Sequence, residues 1–153
     1  MLKKMKKAFT ITELVIVIAV IAILAAVLIP TFTTVVNKAN ESAAMQEAKS
    51  EWTTCSAEIV TTVNASDMNY LIVHKESGYA FVVANGNFEV EPVTVETGAD
   101  ETISAEDTFV YKNDTYTLKA AITKITESED SEDAVYTFNT GFTVYPLTVT
   151  TGS

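Results

Sequence analysis

Glu13 is the side chain whose position most needs a chemical explanation. It lies directly before residues 14–29, an unbroken apolar run of nearly membrane length. A carboxylate beside such a run is energetically costly, so we expect Glu13 to have a functional partner. The structural alternative is that Glu13 lies at the membrane interface near the preceding lysines, stabilised by its place in the first helical turn.

Other reactive side chains are few. His74 is the sole histidine and Cys55 the sole cysteine, so neither a zinc site nor an intrachain disulfide is expected. We interpret His74 as a surface or strand histidine. No glycine-rich phosphate loop, nucleophile elbow or other patterned catalytic motif occurs. We therefore expect no enzyme, no catalytic residue, no cofactor and no metal site.

Two acidic clusters, at residues 100–107 and 127–133, raise the question of calcium, which prefers carboxylate oxygens. Neither cluster has the spacing of a calcium loop. We interpret both as solvated loops that keep the exposed part of the chain soluble.

Charge is distributed unevenly along the chain. The formal net charge is −10, and such acidity argues against a nucleic-acid partner. Counting residues 8–12, the apolar stretch reaches about 20 residues, which as a helix matches a bilayer core of about 30 Å. Basic residues before the span and acidic residues after it predict a cytoplasmic N-terminus and an exported C-terminal part. The basic residues of the leader are Lys3, Lys4, Lys6 and Lys7.

Three interpretations of this N-terminal segment compete. A cleaved signal peptide could use small residues such as Ala22, Ala25 or Ala26, and a plain signal anchor needs no cleavage. Neither explains Glu13. The third follows from the letters KKA followed by FTITEL, which resemble the leader of type IV pilins and pseudopilins. Its match covers residues 3–48, with Ala8 in place of the more usual glycine.

The resemblance implies specific roles. A prepilin peptidase would cut between Ala8 and Phe9 and methylate the new amine of Phe9. Phe9 and Glu13 would mediate subunit assembly, and Pro30 would kink the helix. The chain would pass from a single-pass inner or cell membrane protein to a homo-oligomer in a helical filament, through an assembly platform and its ATPase.

Two alternatives stay open beside a pilus subunit. One is a pseudopilin of a type II secretion-like or competence machine, confined to the cell envelope. The other is a monomeric, membrane-anchored adhesion or binding domain, against which Glu13 and Pro30 argue.

Beyond Pro30 the apolar residues recur at steps of three or four and predict an amphipathic helix. Its apolar stripe comprises Phe32, Val36, Ala39, Ala43, Ala44, Ala48, Trp52, Cys55, Ile59 and Val63. A proline inside a helical pattern bends rather than ends it, so one bent helix is expected over residues 9–63. We interpret Trp52 and Cys55 as core residues without a site role.

From residue 64 the composition favours strands and turns. Strands are predicted over 70–75, 79–84, 88–95, 108–112, 116–125, 134–139 and 142–150, with turns at 76–78, 85–86 and 113–114. The short links favour antiparallel meanders. The fold class is α+β and pilin-like, a long bent helix packed on an antiparallel sheet. Its parts are a leader (1–8), a membrane helix (9–30), an amphipathic continuation (31–64) and a β-rich head (65–153).

Residues 88–98 and 142–152 are identical at seven of eleven positions, and the alternation of apolar residues slips at a proline in each. Pro92 and Pro146 are therefore predicted to mark equivalent bends. Either a β-unit was duplicated, or the same sequence pattern arose twice independently.

Overall fold

A computed structural model describes residues 9–59, 63–64, 67–95, 102–126 and 134–151. In these residues one helix, α1 (Ile11–Ile59), precedes eight strands. The strands are β1 (Tyr70–His74), β2 (Ala80–Ala84), β3 (Asn87–Val93), β4 (Thr108–Tyr111), β5 (Asp114–Leu118), β6 (Lys124–Thr126), β7 (Ala134–Thr137) and β8 (Phe142–Thr151). The chain forms two compact units, Met1–Ala39 and Asn40–Ser153, so α1 contributes to both.

The first unit contains the apolar part of α1. The helix begins at Ile11, two residues after the predicted start, and it is continuous through Pro30. Its large apolar side chains are exposed, because no other element of this unit is described that could cover them. The residues of the predicted apolar stripe that lie in this unit are exposed as well, and the side chain of Phe32 is 71% exposed.

In the second unit the stripe becomes a buried face. The buried helix residues follow at steps of three or four, and they are Ala44, Ala48, Trp52, Cys55 and Ile59. This spacing places them on one side of the helix, where they form a core with alternate residues of the sheet. The prediction of an amphipathic helix packed on a sheet is confirmed for this half of α1. The described helix ends at Ile59, before the predicted end at residue 63, and the main-chain N–H of Val63 donates to the Ile59 carbonyl at 3.1 Å.

The main sheet has six antiparallel strands in the order β3-β2-β1-β8-β5-β4, and β6 and β7 form a separate two-stranded sheet. The meander prediction holds for β1 to β3 and for the β4–β5 hairpin. It is wrong for β8, the last strand in sequence, which lies between β1 and β5. It pairs with β1 over Phe142–Pro146 and with β5 over Leu147–Thr151.

The predicted strand 116–125 is divided into β5 and β6. Pairing of β5 with β8 ends at Leu118 and Leu147, and only the isolated bridge of Ile122 with Val144 continues along β8. Residues after Leu118 therefore lack a continuous ladder on β8 and pair with β7 instead.

The sheet is curled and has a core on each face. Tyr70 and Ile72 face the helix, whereas Leu71 and Val73 face a second core. This core is completed by side chains from β4 and β5, including Phe109 and Tyr116. Strands buried on both faces read as continuous apolar runs, which is why β1 and β2 show no alternation in sequence.

Two predicted turns are confirmed and one is displaced. Asn85 and Gly86 have φ values of 50° and 80°, as a two-residue hairpin turn requires. The turn at 76–78 is present, with Gly78 at φ 74°. In the β4–β5 hairpin the turn residues are Lys112 and Asn113, because Tyr111 pairs with Asp114 and leaves two residues between them. The prediction at 113–114 was one residue late.

The two similar segments occupy different places. β3 is an edge strand, and Pro92 lies beside the register shift between Phe81 and Val83. β8 is an inner strand, and Pro146 is where it changes its neighbour from β1 to β5. Both prolines coincide with an irregularity in pairing, but the bends are not equivalent. That prediction is wrong, and the fold gives no support for a duplicated unit.

Candidate assembly segment

Glu13 closes the first turn of α1 through three hydrogen bonds with Thr10. Its Oε2 accepts the Thr10 main-chain N–H at 2.9 Å and the Thr10 hydroxyl at 2.7 Å. The hydroxyl oxygen in turn accepts the Glu13 main-chain N–H at 3.3 Å. Since α1 begins at Ile11, Thr10 is the N-cap and the arrangement is a capping box.

This cap was missed in the sequence although its signal is present. Thr10 and Glu13 stand three residues apart directly before an apolar run, which is the usual pattern of a capping box. The observation gives Glu13 a role within its own chain, beside the intersubunit role that the resemblance implies.

The surroundings of Glu13 are apolar and exposed. Ile11 is 82% exposed and Leu14 56% exposed, and Phe9 is 77% exposed. The helix is long and apolar enough to cross a membrane, and none of its most apolar window is buried within the chain. This surface needs an external apolar environment, either lipid or other helices.

Threonine hydroxyls follow Pro30 directly. Thr31, Thr33 and Thr34 each donate to a main-chain carbonyl three or four residues earlier. The acceptors are Val27 and Leu28 for Thr31, Ile29 for Thr33 and Pro30 for Thr34. The hydroxyls are satisfied by their own helix, so they do not interrupt its apolar surface. Such back-bonding often bends helices, and so does a proline, but the kink at Pro30 stays a prediction.

Residues 3–29 match the family model of the prokaryotic N-terminal methylation motif. The chain carries a prepilin-type leader. This leader is that of type IV pilins and pseudopilins, which are exported structural subunits rather than enzymes. It implies processing by a peptidase and assembly into a filament, and the apolar helix fits membrane anchoring before that step. No curated protein and no solved structure matches the chain.

Ala8 and Phe9 stay the predicted sites of cleavage and methylation. Phe9 is described and exposed, whereas Ala8 lies outside the described part of the chain.

Trp52 and Cys55 are core residues, as the sequence predicted. Trp52 is 3% exposed, its indole N–H donates to the Gly86 carbonyl at 3.0 Å, and its ring lies 5.7 Å from that of Tyr70. Cys55 is fully buried. Burial, and then the charges of nearby acids, raise the pKa of its thiol to about 12, so it stays protonated and unreactive.

His74 ends β1 and connects it to the helix. Its Nε2 lies 3.1 Å from Oε2 of Glu47, and its Nδ1 lies 2.8 Å from the Ser77 hydroxyl. The Ser77 main-chain N–H also points at Nδ1, at 3.3 Å, so Nδ1 is the acceptor and Nε2–H donates to Glu47. The prediction of a strand histidine is confirmed, and its hydrogen bonds hold the β1–β2 turn against α1.

The acidic clusters are only partly described. In the first, Asp107 accepts hydrogen bonds from the main chain and hydroxyl of Ser104, at 2.7 and 3.2 Å. The cluster at 127–133 lies outside the described residues. Among the residues with described positions, no group of three or more acidic, histidine or cysteine side chains is arranged to hold a metal ion.

Proposed function

We propose that this chain is the structural subunit of a type IV pilus-like filament. It is exported, cut between Ala8 and Phe9, methylated at the Phe9 amine and polymerised through its N-terminal helix. Two features of the same segment carry the proposal. The helix has an apolar surface that is exposed along residues 11–36, and residues 3–29 match the prepilin-type leader motif.

The physical argument concerns where that surface goes. In the membrane, lipid covers it, but a subunit that leaves the membrane exposes it to water. The helices of neighbouring copies provide an equivalent apolar environment, so polymerisation compensates the loss of lipid. A permanently anchored monomer has no need of a leader that keeps the span on the mature chain.

Glu13 supplies the specific contact in this proposal. Cleavage creates a positive amine at Phe9, and a charge of either sign is costly in an apolar core unless it is paired. Pairing the Phe9 amine of one copy with Glu13 of the next satisfies both charges. The capping box is compatible with this role, because a carboxylate can accept several hydrogen bonds.

The head faces solvent in this arrangement. With 20 acidic residues against 10 lysines in the whole chain, four of them in the leader, exposed heads repel one another and stay soluble. The prepilin peptidase, the assembly platform and its ATPase are the further partners of the proposal, and no nucleic acid is among them.

Processing and assembly can be tested together. Mass spectrometry of the mature protein should find an N-terminus at a methylated Phe9, with Ala8→Gly cut at the same bond. A mature chain that begins near Val27 would contradict the proposal, since signal peptidase would then have removed the helix. Shearing should release long filaments of this chain from cells. Polymers that stay in the envelope would favour the pseudopilin alternative.

A further inference from the structure

The turn between β2 and β3 contains the one Asn-Gly pair of the chain, Asn85 and Gly86. Asparagine before glycine readily loses its side-chain amide, because glycine has no side chain to hinder its own main-chain nitrogen. That nitrogen attacks Cγ of Asn85, and the amide group leaves as ammonia together with the proton of the attacking nitrogen. Water then opens the cyclic succinimide to aspartate or isoaspartate. Asn85 is exposed, so water reaches its side chain.

The head holds both main-chain polar groups of Gly86. The Gly86 N–H donates to the carbonyl of Met68 at 2.9 Å, and the Gly86 carbonyl accepts the indole N–H of Trp52 at 3.0 Å. Met68 and Trp52 are both buried. A third hydrogen bond joins the main-chain N–H of Asn85 to Oδ1 of Asn69 at 3.0 Å. The turn is therefore fixed at three points, to α1 and to the residues before β1.

These hydrogen bonds oppose the loss of ammonia. To attack Cγ of Asn85, the Gly86 nitrogen must release the Met68 carbonyl and turn toward the side chain. This movement takes Asn85 and Gly86 away from their φ values of 50° and 80°. It also displaces the Gly86 carbonyl and leaves the buried indole N–H of Trp52 without its acceptor, which is costly.

We propose that Asn85 is a modification site at which Trp52 controls the conversion to aspartate or isoaspartate. While the indole holds Gly86, the side-chain amide of Asn85 is retained, and when this contact opens, ammonia is lost. Isoaspartate adds a methylene group to the main chain of a two-residue turn whose geometry has no room for it. The modified turn cannot return Gly86 to Trp52, so the opening becomes permanent. The inference concerns the head and does not depend on filament assembly.

Three variants of the full chain, purified in detergent, test this control. Trp52→Phe keeps most of the ring volume but removes the N–H that holds Gly86. Phe109→Leu is the matched control, because it destabilises the head from the second core without touching the turn. Asn85→Gly accepts the positive φ and lacks the reacting amide, so it gives the background of the measurement.

Each folded protein is incubated in mildly alkaline buffer and sampled over weeks. Mass spectrometry of the peptide that contains residue 85 measures the fraction in which a carboxylate has replaced the amide. The native chain in urea gives the rate without the contact to Trp52. We expect the folded native chain to react about tenfold or more slowly than in urea. Trp52→Phe should react about tenfold faster than the folded native chain, because it leaves the Gly86 carbonyl without its donor. Phe109→Leu should react at the native rate.

The comparison of the folded native chain with the chain in urea needs no variant, and equal rates there would overturn the inference. Equal rates for the folded native chain and Trp52→Phe would overturn it too. If Phe109→Leu reacted as fast as Trp52→Phe, unfolding of the whole head would explain the reaction, and the control by Trp52 would be wrong. A carboxylate that forms in the same peptide of Asn85→Gly would come from Asn87 and overturn the assignment to Asn85.

Discussion

Glu89 and Lys112 join the two outer strands of the head sheet, with Oε1 of Glu89 2.9 Å from Nζ of Lys112. The hydroxyl of Tyr111 donates to the other oxygen of Glu89 at 3.0 Å. Glu89 belongs to β3 and Tyr111 to β4, which are the first and last strands in the sheet order. The sheet is therefore curled until its edges meet, and side chains rather than a backbone ladder join them. Among the described strands, this contact limits access to two edges that could otherwise pair with another chain.

This contact predicts an acid-sensitive contribution to head stability. The hydrogen bond from Lys112, and then that from Tyr111, hold the pKa of Glu89 below its ordinary value of 4.5. A lowered native pKa means that the stabilisation is fully present above the ordinary value and is lost as pH falls through the native one. Since the pair is partly solvated, the effect should be small.

Urea unfolding of the head between pH 7 and pH 3 measures this contribution. Glu89→Gln should be slightly less stable than the native head at pH 7, and the two should converge as pH falls below 4.5. Glu91→Gln, on the same strand as Glu89, is the matched control. Equal pH dependence of native protein and Glu89→Gln would contradict the assigned role.

Trp52 should be among the most costly head residues to truncate. Trp52→Ala removes a 3%-exposed ring and leaves a cavity between the helix and the sheet, so we expect a loss of about 3–5 kcal/mol. Trp52→Phe retains most of the volume but loses the hydrogen bond to Gly86, and its loss should be smaller. Urea unfolding followed by circular dichroism checks both, and equal stability of the two variants would contradict the packing argument.

The sequence predicted the local elements well for physical reasons. Ala44, Ala48 and Trp52 are spaced four residues apart, so a helix can bury all three on one face. Asn85 and Gly86 are residue types that accept the positive φ values of their turn. The place of β8 could not be predicted, because its pairing depends on contacts between strands distant in sequence. The second core was missed for the same reason, since an apolar run such as that in β1 does not say what covers it.

The candidate site shows a different limit. The leader could be recognised from residue types and spacing, and the family match at residues 3–29 agrees with it. The roles of Phe9 and Glu13 stay predictions. The capping box could also have been identified, because Thr10 and Glu13 stand three residues apart directly before an apolar run. Glu13 has two candidate roles, capping its own helix and pairing with the Phe9 amine of a second copy. The second role involves a contact between two copies, which the structure of one chain does not contain.

Two substitutions of Glu13 separate these roles. Glutamine can replace glutamate in a capping box but has no charge, whereas alanine loses both the cap and the charge. If pairing with the Phe9 amine drives assembly, Glu13→Gln should fail nearly as badly as Glu13→Ala, because each leaves the amine unpaired in an apolar core. If capping is the whole role, Glu13→Gln should assemble normally and only Glu13→Ala should show a defect.

The measurement is the amount of sheared filament per mature subunit in the membrane. Both variants should still insert, be cut before Phe9 and fold their heads, since the head core begins at Ala44 and does not involve Glu13. Glu47→Gln on the same helix is a control for loss of one acidic charge, because that residue lies in the head unit. Native levels of filament from Glu13→Gln would rule out charge pairing and leave the fold and the apolar packing of the helix unaffected.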